Sequence, residues 1–115
     1  MSNLIRATSV YGDAFWDFYN AQTKQVQDKI DWIIGIVRTL RMVPQKYFKH
    51  LKGTDGLYEI RVKVGRDIYR IFCFFDKGQL VILLNGFQKK SEKTPRQEIE
   101  RAERLKKQYY EDQEK

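Results

Sequence analysis

Apolar residues recur along this chain with two different periods, and the changes between them mark its elements. Leu4 to Val10 alternates weakly and predicts a first strand. Asp13 is the predicted N-cap of a short helix carrying Phe15, Phe18 and Tyr19 at i, i+3 and i+4 spacing. From about Thr23 to Leu40, the residues Val26, Ile30, Ile33, Val37 and Leu40 step by 4, 3, 4 and 3, forming one helical stripe. Trp32, Ile34 and Ile36 widen that stripe, so this helix is expected to lie against a sheet with little exposed.

From Leu57 to Lys90 the period falls to two. The runs are short, rich in Val, Ile, Phe and Tyr, and joined at Gly65-Arg66 and Lys77-Gly78, which predicts a three-stranded antiparallel meander. Strand alternation places Glu59, Arg61 and Lys63 on one face. A two-residue turn at Gly65-Arg66 sets Arg61 opposite Arg70, Lys63 opposite Ile68 and Glu59 opposite Phe72. Carried across Lys77-Gly78, the same rule sets Arg70 against Asn85, Phe72 against Leu83 and Ile68 against Phe87. The other face collects Tyr58, Ile60, Val62, Tyr69, Ile71, Cys73, Phe75, Leu80, Ile82 and Leu84 as the expected core. Arg61, Lys63 and Arg70 then stand among exposed aromatics. Like charges directly opposed on a sheet are destabilising, and a bound polyanion would offset that repulsion.

Between helix and meander, Pro44 disfavours helix at Val43, while Gly53 and Gly56 favour turns, so 42–56 is expected to be a loop. Its stretch Gln45 to Lys52 interleaves bases with aromatics, a pattern suited to phosphate contact and base stacking. After the meander, Thr94 as N-cap, Pro95 at N1 and Gln97 at N3 predict a helix start. Ile99, Ala102, Leu105 and Tyr109 form a narrow stripe on it. Glu100–Arg104 and Glu103–Lys107 are expected i,i+4 pairs, and Glu111 to Lys115 is expected to fray. The whole reads as one α+β domain over 1–115. An N-terminal strand and the meander make a small antiparallel or mixed sheet, packed by two N-terminal helices, with a C-terminal helix.

Composition sharpens the chemistry. Lys and Arg number 22 against 15 Asp and Glu, a net charge of +7 that favours a polyanionic partner. Cys73 is the sole cysteine, which excludes an intramolecular disulfide, and its strand parity assigns it to the core. With His50 the only histidine, a His/Cys metal site is not expected, and no phosphate-binding glycine loop or Ser-His-Asp set can be assembled. No apolar stretch reaches membrane-spanning length and no secretory leader is evident, so a cytoplasmic protein without a small-molecule cofactor is expected. The candidate RNA contacts are Lys49, His50, Lys63, Arg66, Phe72, Asn85 and Phe87.

The stretches LKGTDGLYEIRVKVGRDIYRIFCFF, LLNGFQKKSEKTP and EIERA, in this order of elements, resemble the RelE/ParE toxin superfamily, most closely its HigB-like, phage-derived branch. The resemblance implies the toxin of a type II toxin–antitoxin pair, with a helix-turn-helix antitoxin as partner. It further implies metal-independent cleavage of mRNA in the ribosomal A site, leaving a 2′,3′-cyclic phosphate. Arg61 and Arg70 fall where the family places strand cations that orient and stabilise the phosphate. Lys89 and Lys90 fall near the basic residue expected after the last strand, a candidate acid, and Phe72 or Phe87 is placed to stack on a base. The chain departs from the pattern in carrying Ser91-Glu92-Lys93-Thr94 where RelE-type enzymes often have a tyrosine. It also has Asn85 where HigB-like relatives often have histidine. Two other readings belong to the same fold: inhibition of DNA gyrase, as in the ParE branch, and non-catalytic RNA or ribosome binding. The nuclease reading requires Arg61 and Arg70 to point the same way, without an internal carboxylate neutralising them.

Overall fold

The computed structural model describes residues 4–115. In chain order the elements are β1 (Ala7–Val10), α1 (Ala14–Asn20), α2 (Lys24–Thr39), β2 (Phe48–His50), β3 (Leu57–Val64), β4 (Asp67–Asp76), β5 (Leu80–Lys89) and α3 (Arg96–Gln113). The expected α+β fold is present. Its five-stranded sheet has the order β1-β5-β4-β3-β2, with β1 parallel to β5 and the other pairings antiparallel. β2 lies in the segment read as a loop and pairs Phe48 with Ile60, Lys49 with Glu59 and His50 with Tyr58. Three residues are too few for alternation to register.

Helices cover both faces of the sheet. Phe15, Phe18, Val26, Ile30, Ile33 and Val37 of α1 and α2 pack on Ile60, Val62, Ile71, Cys73, Val81 and Leu83. On the other face, Ala102 and Tyr109 of α3 seal Leu57, Phe72, Phe74, Ile82 and Leu84. The expectation of a single core face is therefore corrected: the second face is also interior wherever α3 lies on it. The Tyr109 hydroxyl donates to Asp76 Oδ2 at 2.6 Å, and Tyr11 donates to Asp112, so α3 is held in place through Gln113 rather than fraying from Glu111. Among the described residues, no helix is long and apolar enough to cross a membrane.

The β3–β4 register is the predicted one, with Arg61 opposite Arg70, Lys63 opposite Ile68 and Glu59 opposite Phe72. The β4–β5 register is not. Asp76 pairs with Leu80, so the turn holds three residues, with Lys77 at φ 49° and Gly78 at φ 76°. Further along, Cys73 pairs with Leu83 but Ile71 with Gly86, a bulge that sets Leu84 and Asn85 against Phe72. Each irregularity moves the pairing by one residue. Between them the faces are reversed from expectation, so Val81 and Leu83 meet α1 and α2 while Ile82 and Leu84 meet α3. Beyond the bulge the faces return, offset by two: Arg70 opposes Phe87 and Ile68 opposes Lys89.

Local signals mostly hold. Thr23 caps α2 by accepting from the Val26 N–H, whereas Asp13 flanks α1 without a side-chain cap bond. α3 starts one residue later than predicted, with Pro95 in the cap position and Arg96 as the first helical residue. Glu100 pairs with Arg96 rather than with Arg104. Trp32 departs from the predicted stripe: it is 53% exposed.

Candidate nucleic-acid interface

α3 does not reach the end of the sheet where β3 and β4 turn. Two rows of side chains lie there, Lys63–Ile68–Lys89 and Arg61–Arg70–Phe87, each running across β3, β4 and β5; the first row and Arg61 reach solvent, while Arg70 and Phe87 are buried. Strand parity puts the β3 and β4 cations and Lys89 on this face, and the double register shift sets Lys89 opposite Ile68, within the row. Arg66 lies in the turn beside them. Together with Lys89 and Lys90 it borders a depression of about 500 Å³, which Ser91 and Glu92 also line.

Arg61 and Arg70 share the face, as expected, but they are not free. Glu59 sits between them, its Oε2 3.2 Å from Arg61 Nε and 3.5 Å from Arg70 Nε. This corrects the expectation of an unneutralised pair: an internal carboxylate already offsets part of the repulsion assigned to a polyanion. Two guanidiniums against one carboxylate still leave one positive charge, before the flanking lysines are added. Glu59 and Arg70 are buried at 6% and 5% exposure, while the Arg61 side chain is 30% exposed. Burial pulls the Arg70 pKa below the usual guanidinium value, Glu59 opposes that shift, and Arg61 adds to it. Arg70 thus backs the site. Arg61 faces outward, with Gln45 O accepting from its Nη1 at 3.3 Å.

Several other candidates fall elsewhere. Phe72 is fully buried and lies 5.3 Å from Phe87, itself buried, so as folded neither ring offers a face to a base. Asn85 is buried as well. Its side-chain N–H groups donate to Glu98 O and Glu98 Oε1, both at 3.1 Å, fastening the bulge to the first turn of α3. It is a clamp rather than a surface contact. Lys49 is exposed on the arginine face beside Glu59, but its neighbour His50 turns to the opposite face against the Tyr58 ring. Glu59 is the residue that sequence reasoning missed. Its signal was its placement two positions before Arg61 on the same face, diagonal to Arg70.

What the arrangement can do follows from its geometry. The outward guanidinium of Arg61, with Lys63 and Lys89 beside it, suits a phosphodiester: guanidinium edges bond phosphate oxygens in pairs, and lysines add point charge. A search of curated proteins returns no match. Residues 17–107, from α1 through most of α3, match the family described as Gp49-like phage-derived proteins. With the RelE-like arrangement of helices and sheet already in place, this match over most of the length identifies the chain as a member of the Gp49-like phage-derived family, a family of RelE/ParE-type toxins.

Proposed function

We propose that the chain is a HigB-like toxin of a type II toxin–antitoxin pair that blocks translation by cutting mRNA in the ribosomal A site. The observation that carries this reading is the convergence of Arg61, Lys63 and Lys89 on sheet surface that α3 leaves open, with Arg70 buried behind Arg61. The reaction is attack of a ribose 2′-hydroxyl on its own 3′-phosphate: the O2′–P bond forms as the P–O5′ bond breaks, the hydroxyl proton passes to solvent water, and a 2′,3′-cyclic phosphate and a 5′-hydroxyl result. Arg61 grips the phosphate and stabilises the charge that builds on its oxygens. Arg70 and Glu59 act behind it as positioning residues, fixing the guanidinium plane. Lys89 or Lys90 protonates the departing oxygen. No metal is assigned, and the partner is an antitoxin of helix-turn-helix type that silences the toxin.

Primer extension on mRNA from cells expressing the chain tests this directly. Cuts inside translated codons are expected, and Arg61→Ala should reduce them on the order of 10²-fold, the scale for removing one transition-state donor. Intact mRNA together with gyrase-dependent DNA damage would overturn the nuclease in favour of the ParE-like reading.

A further inference from the structure

We infer that Trp32 and Tyr47, with the lysines around them, form a second subsite that stacks an unpaired base of single-stranded RNA beside the arginine face. This inference rests on the RNA reading above and names where the strand goes after it leaves Arg61. α2 leaves Trp32 half in solvent, although its neighbours on the helix, Ile30 and Ile33, are fully buried. The indole meets the Tyr47 ring edge to face, with centroids 5.7 Å apart and planes at 88°. Lys29 Nζ stands 5.1 Å from the centre of the Trp32 ring, and Lys46 Nζ stands 4.9 Å from the centre of Tyr47. A hollow of about 480 Å³ runs from Lys29 and Trp32 to Lys63 and Gly65.

Two links join this patch to the arginines. The Arg61 N–H donates to Tyr47 O at 2.8 Å, so the segment bearing Tyr47 is fastened to the residue that grips phosphate. Lys63 borders the hollow and also stands in the outermost cationic row of the sheet. α2 lies on the other side of the sheet, so a polyanion leaving Arg61 passes Lys63 and rounds the edge of β3, which β2 covers only at 58–60, to reach Trp32. The carboxylates nearby are already engaged: Asp28, on the rim of the hollow, pairs with Lys24 at 3.1 Å, and Asp31 accepts from Tyr19 at 2.9 Å. An exposed indole beside a half-buried tyrosine ring, amid lysines, suits single-stranded nucleic acid, because every base has a face to stack and every nucleotide a phosphate to pair. Trp16 makes the contrast. It is nearly as exposed, but it rests on Phe15 and Tyr19 with no cation over its ring among the described residues.

Fluorescence anisotropy with a labelled 2′-O-methyl RNA of about eight nucleotides tests the subsite, since blocked 2′-hydroxyls prevent internal attack. Trp32→Ala should weaken binding about tenfold or more, the usual loss for one stacked base. Trp32→Phe should keep most of the affinity, and Trp16→Ala should change nothing. On an abasic strand of equal length, wild type and Trp32→Ala should bind alike, while Arg61→Ala should weaken binding to both strands. If Trp32→Ala binds like wild type while Arg61→Ala fails, the subsite is overturned and the RNA reading stands. If neither variant loses affinity, both are overturned. Equal loss on intact and abasic strands would overturn stacking, and a Glu-rich peptide that needs Trp32 while RNA does not would mark a protein-docking patch instead.

Discussion

The face of the sheet beneath α3 has two halves built from the same strands with the same alternation, and their fates are opposite. Under the helix, Phe72, Phe74, Ile82 and Leu84 are sealed by Ala102 and Tyr109. Beyond its first turn, Arg61, Lys63 and Lys89 meet water. The border is the row of Glu59, Phe72 and the bulge at Leu84 and Asn85, and each polar member has a task there. Asn85 fastens α3, and Glu59 holds the two arginines. Alternation thus decides which side chains share a face. Where a helix ends decides whether that face becomes interior or working surface.

The largest expected effect lies on that border. Glu59→Gln leaves Arg70 buried beside Arg61 without a counter-charge, and losing one partner of a buried ion pair costs about 3–5 kcal/mol. Urea unfolding should show this loss, and a change below about 1 kcal/mol would mean that the two halves are less distinct than their burial implies. Next comes the bulge that directs Lys89. A Cβ on Gly86 would clash with the Phe18 ring, so Gly86→Ala should cost about 1–3 kcal/mol through overpacking. An unchanged unfolding midpoint for this variant would detach the bulge from the packing of α1.

The smallest effect probes the covered half. The hydrogen bond to Asp76, with burial second, pushes the Tyr109 phenol up to about 12, against about 10 in an unfolded chain. The folded state holds this proton more tightly. Its stabilisation is therefore complete below about pH 10 and is lost as pH rises from there towards about 12. Tyr109→Phe should lower stability by about 1 kcal/mol at pH 8 and flatten the loss between pH 10 and 12 relative to wild type. Parallel alkaline slopes in the two proteins would show that the bond to Asp76 does not hold α3 down.

The sequence made β3 and β4 legible because Gly65-Arg66 is a two-residue turn and their polar and apolar positions alternate plainly. β5 hid its register for a physical reason: Val81, Ile82, Leu83 and Leu84 are all apolar, so the run reads the same on either face and neither the three-residue turn nor the bulge leaves a mark. The stripe of α3 was visible as well, but a helix's own period does not say where on the sheet it lands. Alternation alone therefore places Phe72, Phe87 and Asn85 on an exposed face. Glu59 was correctly placed on its face, but a strand pattern counts it only as polar, and its grip on two guanidiniums emerges only with side-chain geometry. Trp32 misled in the other direction, since an apolar residue beside a helical stripe looks like core.

β2 closes one rim of the sheet with only three residues, of which Lys49 and His50 are exposed. A rim that short gives an incoming strand little backbone to zip against, and its basic flank repels a second copy of the same molecule. β4, the long apolar strand at the centre, has β3 on one side and β5 on the other and never reaches a border, so the strand most adhesive if bared is the one held furthest from any seam.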